Sequence, residues 1–226
     1  MWVVTPDETC SLPLDFGEEP RPRNILPHDG EAIDHGVVFG PADRGCYLKA
    51  LSAEVPWQHD EVVMFGKRIV TARKVAWYGD RNYDYSYSGR TRTALIWTPL
   101  LREIKEIVEG HSGATYNSCL LNFYANGSQG MGWHSDDEKE LGTNPDIASV
   151  SFGATRRFDF RHQRTGEKIS LPLESGSLLV MKKCAQEFWQ HQIPKSLKVK
   201  EPRINLTFRT IVEPGRAPMI QMVDGS

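Results

Sequence analysis

Two histidines and one aspartate stand out in this 226-residue sequence as possible metal ligands. His134 and Asp136 are separated by one residue, and His191 follows far downstream. Within a strand, side chains two positions apart project to the same side, so His134 and Asp136 can bind one metal ion that His191 reaches from a distant strand. Two imidazoles and one carboxylate suit iron(II) with open positions, whereas structural zinc usually has a closed shell with cysteine. An isolated His-x-Asp sequence also occurs by chance.

A polar strand near the carboxy terminus favours the metal interpretation. Its polar face comprises Arg203, Asn205, Thr207 and Arg209, which alternate with apolar residues. The Cα atoms of Arg203 and Arg209 should lie ~20 Å apart at about 3.3 Å per residue, so their inward-reaching side chains leave a gap for a short dicarboxylate. A buried arginine needs an anion, and a carboxylate pairs with it well. Asn122 and Tyr124 add an amide and a phenol; the alternative is that all these residues decorate an edge strand.

Short runs of β-forming residues after Tyr116 are the elements that would hold these side chains. Turn-rich stretches separate them, a pattern typical of a sandwich or barrel. The predicted strands are 119–124, 147–152, 157–161, 168–173, 177–181, 188–192 and 203–210.

Two helices are predicted before these strands. Apolar residues at helical spacing between Pro41 and Val55 indicate an amphipathic helix that covers a sheet. The second helix has Thr98 as a capping residue, Pro99 at its first position and Gly110 as its predicted terminus.

Composition limits the classes of protein to consider. The net charge of −2 and the 39% hydrophobic content indicate one globular domain without the strongly basic surface of a non-specific nucleic-acid binder. The four cysteines show no paired spacing, so we expect reduced thiols. The amino terminus resembles neither a signal peptide nor a membrane span. We therefore expect a monomer without membrane association, in the cytoplasm or, in a eukaryote, the nucleus.

Several longer motifs resemble the AlkB family of iron(II)/2-oxoglutarate dioxygenases. They include His134-Ser135-Asp136-Asp137-Glu138 and Trp189-Gln190-His191, and they occur in the family's order from about Asn24 to Ile211. The further matching segments are 147–154, 176–179 and 202–209.

The resemblance implies a mainly β (α+β) fold, a double-stranded β-helix or jelly roll flanked by two or three helices. It assigns iron binding to His134, Asp136 and His191, and makes 2-oxoglutarate and dioxygen co-substrates. The 2-oxoglutarate pocket falls on Asn122, Tyr124, Arg203, Asn205, Thr207 and Arg209. The implied layout is an extended arm (1–30), one dioxygenase domain (31–212) and a tail (213–226). Within the domain, a nucleotide-recognition lid spans about 60–95 and the jelly-roll core about 115–212.

The implied reaction is hydroxylation of an N-linked methyl group of a nucleobase, coupled to decarboxylation of 2-oxoglutarate to succinate, with release of formaldehyde. Alkylated DNA, single- or double-stranded, is the expected partner, and 1-methyladenine and 3-methylcytosine are the expected lesions. RNA demethylation and a catalytically silent sensor that binds a metal and a diacid are the alternatives.

The amino-terminal half contains most of the expected substrate contacts. It interleaves cations with aromatic rings, which suit phosphates and stacked bases. Met64 and Phe65 match an apolar finger that fills the base stack, although a buried hairpin turn explains them equally well. The remaining expected contacts are Arg73, Trp77, Tyr78, Tyr85, Tyr87, Asp137 and Glu138. The aromatic ones are also compatible with a hairpin packed on the core, and the two acids are also compatible with orienting the metal loop or facing water.

Overall fold

Two antiparallel sheets form the frame of the molecule in a computed structural model that describes residues 22–64, 67–87 and 90–212. The larger sheet has nine strands in the order β1-β2-β13-β10-β15-β8-β4-β3, with β7 paired to β4. Its members are β1 (Arg23–Asn24), β2 (Glu31–Val37), β3 (Gln58–Met64), β4 (Lys67–Gly79), β7 (Leu95–Ile96), β8 (Ser118–Tyr124), β10 (Ile147–Gly153), β13 (Ser177–Lys182) and β15 (Arg203–Arg209).

A smaller sheet of four strands has the order β12-β11-β14-β9. Its members are β9 (Met131–His134), β11 (Arg156–His162), β12 (Lys168–Leu173) and β14 (Trp189–Ile193). A separate two-stranded hairpin consists of β5 (Asp84–Tyr87) and β6 (Arg90–Thr93).

Three α-helices accompany the sheets in the described part of the chain: α1 (Pro41–Glu54), α2 (Pro99–Ser112) and the short α3 (Ala185–Phe188). A 3-10 helix spans Lys139–Leu141. The Thr98 hydroxyl accepts from the Leu101 N–H at 3.2 Å, as expected of a capping residue. The predicted terminus of α2 was wrong. The helix continues through Gly110 to a C-cap at Gly113, which has the left-handed conformation, with φ +68°, that favours glycine. None of the described helices is long and apolar enough to cross a membrane.

Two apolar cores lie on opposite faces of the large sheet. One packs α1 and α2 against it through residues such as Leu51, Ile104 and Leu206. The other lies between the two sheets and includes Phe160 and Leu179. This two-layer arrangement, with few helices, confirms the predicted mainly β jelly roll.

The alternation in β15 places its two faces in different environments, as predicted. Ile204, Leu206 and Phe208 are buried in the core beneath the helices. Asn205 and Thr207 face the cavity between the sheets. β15 is a central strand, paired with β10 and β8, so its polar residues do not decorate an edge. Among the described residues, β1 pairs with β2, so part of the segment predicted as an extended arm belongs to the sheet.

Candidate metal centre and cavity

Two histidines and one aspartate converge at the cavity between the sheets. β9 ends at His134, and β14 places His191 opposite it with the Cα positions paired. Their ring centroids lie 4.2 Å apart. Donor atoms of His134, Asp136 and His191 all lie within 4.8 Å of one another. Asp136 reaches this position from the loop after β9, and not from a shared strand as predicted, because β9 stops at His134.

Hydrogen bonds hold these ligand candidates in place. His134 Nδ1 lies 2.9 Å from the carbonyl oxygen of Gly132; donation from Nδ1 leaves Nε2 available to a metal. The Asp136 N–H donates to Oε1 of Gln186 in α3 at 2.8 Å. Phe158 stacks on the His191 ring at 5.3 Å. The loop and both rings are therefore fixed by contacts outside the triad.

Burial and nearby charges shift the pKa values of Asp136 and His191. Burial would raise the pKa of the Asp136 carboxyl, but the nearby Arg209 charge and the two imidazoles outweigh burial and lower it. Arg209 Nη2 donates to Asp136 Oδ1 at 2.6 Å, and its Nη1 donates to Glu138 Oε1 at 3.3 Å. Burial, reinforced by His134, lowers the pKa of His191 to about 3. An ionised carboxylate and a neutral imidazole are the forms that bind a metal.

Arg203, at the other end of β15, is a buried arginine with unused donors. It is 1% exposed, and its Nη2 donates to the Ser151 hydroxyl at 2.9 Å. Its Nε and Nη1 have no hydrogen-bond partner among the described residues. The guanidinium carbon lies 5.6 Å from the Tyr124 ring centroid. Burial lowers the pKa of Arg203 to about 10. Such a cation is suited to receive an anion.

Polar residues connect the two arginines along a cavity of about 280 Å³. Asn205 Nδ2 donates to Ser149 Oγ at 2.8 Å, and Thr207 donates to Asn205 Oδ1 at 3.1 Å. Asn122 Oδ1 is buried without a partner among the described residues. Most of the residues predicted as metal ligands or as the 2-oxoglutarate pocket line this cavity. They are Asn122, Tyr124, His134, Asp136, His191, Asn205, Thr207 and Arg209. Arg203 lies beside Tyr124.

Comparison with known proteins places this constellation in a family. A family model described as the 2OG-Fe(II) oxygenase superfamily matches residues 37–209. DNA oxidative demethylase ALKBH2 of Homo sapiens is 40% identical over 218 residues, which cover 85% of this chain and 84% of that protein. The chain belongs to the AlkB family.

Other AlkB-family proteins differ in how much of their length this chain spans. The Mus musculus ALKBH2 protein is 38% identical over 219 residues, 87% of this chain and 92% of the relative. Alpha-ketoglutarate-dependent dioxygenase alkB homolog 3 of Homo sapiens is 40% identical over 181 residues, 76% of this chain but 63% of the relative. The solved structure of OsALKBH1 covers 82% of this chain and 98% of its own with a TM-score of 0.56 and 14% identity, a likeness in fold alone.

AlkB-family membership implies iron(II), 2-oxoglutarate and dioxygen, and the residues present fit these groups. Two imidazoles and one carboxylate are the donor set of non-heme iron(II) oxygenases. The unpartnered Nε and Nη1 of Arg203 suit one carboxylate of a diacid. Arg209, next to Asp136, provides positive charge at the metal end of the cavity.

The structure separates the expected substrate contacts into three groups. Arg73, Trp77, Asp137 and Glu138 line the cavity. Tyr78 is 3% exposed and packs in the core beneath the helices, because consecutive residues of β4 face opposite sides. That placement contradicts a substrate contact, and Tyr78 is excluded from the site proposed below. Phe65 lies outside the described residues, as do the side chains of Met64, Tyr85 and Tyr87.

Sequence reasoning did not find several residues of the cavity wall. Asp60 and Met131 are two of them, and both contact the predicted residue Arg73. The Arg73 guanidinium pairs with the carboxylate of Asp60, and its Nη1 lies 3.1 Å from Met131 Sδ. Asp60, Met131 and Phe158 have no local pattern that distinguishes them, since only the pairing of distant strands brings them to the cavity. Ser149 also lines the cavity and could have been found, because it lies in a run of residues that resembles the family.

Proposed function

We propose that this chain is an oxidative demethylase of N-alkylated nucleobases in DNA, with 1-methyladenine and 3-methylcytosine as substrates. The observation that carries the proposal is the joint placement, in one cavity, of the His134, Asp136 and His191 triad and the Trp77 ring. Names of relatives in the family include a DNA oxidative demethylase at 40% identity. The ring and the carboxylates of Asp137 and Glu138 suit a base that methylation has made cationic.

The roles of the residues follow from their contacts. His134, Asp136 and His191 would hold iron(II), which together with 2-oxoglutarate and dioxygen supplies the oxidising chemistry. Arg209 holds Oδ1 of Asp136 and so restricts rotation of that carboxylate. Arg203 would bind the distal carboxylate of 2-oxoglutarate, with Asn122 and Tyr124 beside it.

Trp77 and Arg73 have different proposed roles on the substrate side of the cavity. Trp77 would stack on the flipped base, which excludes water from one face of the ring. Arg73 is held against the wall by Asp60 and Met131, so its position is set before DNA binds. The stacking ring and the fixed cation would orient the methyl group toward the triad.

Formaldehyde and succinate release from methylated oligonucleotides tests the proposal directly. The wild type, supplied with iron(II) and 2-oxoglutarate, should release both in equal amounts, and Asp136→Ala should release neither. Asp146→Ala removes an acid outside the cavity wall and should retain activity. Absence of lesion-dependent turnover in the wild type would leave the silent metal- and diacid-binding sensor as the better explanation.

RNA demethylation is the second candidate function. The proposed substrate contacts of the described cavity wall are with the base, and none of them involves the sugar. The same assay with matched methylated single-stranded DNA, duplex DNA and RNA ranks these substrates, and a higher kcat/KM on RNA would replace the DNA assignment.

A further inference from the structure

A second cluster of metal-ligating side chains lies outside the cavity described above. His28 and Asp29 precede β2, and His162 is the last residue of β11. Asp29 Oδ2 lies 3.2 Å from His28 Nδ1 and 3.1 Å from His162 Nε2. The three donor atoms all lie within 4.8 Å of one another. We propose that His28, Asp29 and His162 form a zinc site distinct from the iron triad.

The spacing of the three donors suits tetrahedral zinc. With metal–ligand bonds of about 2.0–2.1 Å, neighbouring donors around a tetrahedral ion lie roughly 3.4 Å apart. The two measured separations from Asp29 are within a few tenths of an ångström of that value. His162 is 1% exposed, whereas His28 and Asp29 are partly exposed, so a water molecule can complete the shell.

The surroundings of His28 fix it in a ligand-ready orientation. Its Nε2 lies 3.1 Å from Glu167 Oε2, on the ring edge opposite Nδ1. A carboxylate that accepts from the far nitrogen of a metal-bound histidine is a recurrent feature of zinc sites. The carbonyl oxygen of His28 accepts from Trp189 Nε1 at 3.0 Å. Asp29 has a φ of +51°, an uncommon conformation for a residue other than glycine.

The competing explanation is that His28, Asp29 and His162 only hydrogen-bond to one another and bind no metal, an arrangement called here a hydrogen-bonded latch. The Thr165 N–H donates to His162 Nδ1 at 3.1 Å, so in the metal-free state Nε2 carries the proton and donates to Asp29. Zinc binding moves that proton to Nδ1, which faces the Thr165 hydroxyl at 3.0 Å, and the Thr165 N–H loses its acceptor. Leaving that N–H unpaired weakens binding by roughly 5- to 150-fold, whereas the affinity of protein zinc sites extends over many more decades.

Zinc at this position would connect two parts of the fold and lie close to a third. His28 and Asp29 belong to the β1–β2 connection, and His162 begins the turn between β11 and β12. Trp189 packs against both histidine rings, at 5.6 Å from His28 and 4.9 Å from His162. Since Trp189 lies two residues before His191 in β14, the zinc would stabilise the strand that carries an iron ligand without entering the reaction.

Zinc stoichiometry in a background without the iron triad tests the site. The His134→Ala/Asp136→Ala protein, dialysed against Zn²⁺ and measured by plasma mass spectrometry, should retain one zinc per chain. Adding Asp29→Asn should remove it, and asparagine tolerates the positive φ of this position. His35→Gln is the matched control, because the His35 ring lies 6.2 Å from that of His111, in a pair that does not belong to the cluster of His28, Asp29 and His162; it should retain the zinc.

Thermal denaturation with and without Zn²⁺ gives an independent readout. Zinc should raise the melting temperature of the background protein, and Asp29→Asn should abolish that rise. Arg164 Nη2 lies 3.5 Å from Asp29 Oδ2, so Arg164→Gln removes a competing cation and should tighten zinc binding several-fold. Zinc content that Asp29→Asn leaves unchanged would mean that the zinc is bound elsewhere. A melting temperature that Asp29→Asn lowers equally with and without zinc would show a hydrogen-bonded latch. Either result overturns the zinc assignment.

Discussion

Replacing Arg203 by methionine should have opposite effects on the ligand-free and ligand-bound protein. Burial lowers the pKa of Arg203 from 12.5 to about 10, which corresponds to about 3 kcal/mol against the charged form. The bond to Ser151 returns about 1 kcal/mol. Methionine fills much of the same volume without charge, so the free energy of unfolding of the ligand-free protein should rise by about 2 kcal/mol.

Binding of 2-oxoglutarate should weaken strongly in the same variant. If the unpartnered Nε and Nη1 of Arg203 both donate to one carboxylate, the variant loses two charge-assisted hydrogen bonds of about 1.5–3 kcal/mol each. The total of about 3–6 kcal/mol predicts a loss of affinity of roughly 10²- to 10⁴-fold. Calorimetric titration with 2-oxoglutarate in the presence of Mn²⁺ measures it without turnover.

Arg156→Met is the matched control, since Arg156 is also buried and lies beside Tyr124. Its Nη2 already donates to the carbonyl oxygens of Gln129 and Pro194, at 2.9 and 2.7 Å. This variant should lose stability without ligand and keep most of its affinity for 2-oxoglutarate. The reasoning is refuted if Arg203→Met destabilises the ligand-free protein as much as Arg156→Met does and changes the affinity less than threefold.

Three further predictions concern binding, pH and helix stability. Trp77→Ala should raise KM for a methylated oligonucleotide by roughly 5- to 150-fold, from about 1–3 kcal/mol per stacked base, whereas Tyr78→Phe should leave KM unchanged in the same steady-state assay. The buried His191 has a pKa of about 3, so as the pH falls this histidine is protonated in the unfolded chain before it is protonated in the folded protein. The free energy of unfolding of the metal-free protein should therefore fall by up to about 1.4 kcal/mol per pH unit below pH ~6.5. Denaturant titrations at several pH values should show a weaker pH dependence of this free energy for His191→Asn. Thr98→Ala should lower the free energy of unfolding by about 1 kcal/mol in urea, because the cap on the Leu101 N–H is lost, and an unchanged value would mean that water replaces the cap.

The sequence predicted those parts of the fold that depend on a local period. The two-residue alternation of β15 placed Arg203 and Leu206 on opposite faces, because a central strand must separate a polar cavity from an apolar core. The same rule separates Trp77 from Tyr78, and treating both as substrate contacts overlooked it. Its application to β4 would have identified Trp77 as the cavity-facing residue.

Tertiary contacts decided what local patterns could not. Gly110 and Gly113 are both compatible with a helix end, and α2 continues through Gly110 and ends at Gly113, which takes the left-handed conformation. Asp136 was expected in a strand with His134. Its position depends instead on a hydrogen bond to Gln186, fifty residues away, and on the charge of Arg209.

Several buried polar atoms without hydrogen-bond partners lie in or beside the functional cavity. Folded proteins pair nearly all such atoms, since leaving one unpaired costs about 1–3 kcal/mol. Among the described residues, the unpaired atoms include Asn122 Oδ1, Glu138 Oε2 and His191 Nδ1 in the cavity wall, and two nitrogens of the adjacent Arg203. The neighbouring Asn205 and Thr207 satisfy each other through a hydrogen bond. Ligands that hydrogen-bond to these atoms would remove part of this cost on binding. Binding of 2-oxoglutarate should therefore stabilise the protein more than the same polar contacts would in a cavity whose atoms were already paired.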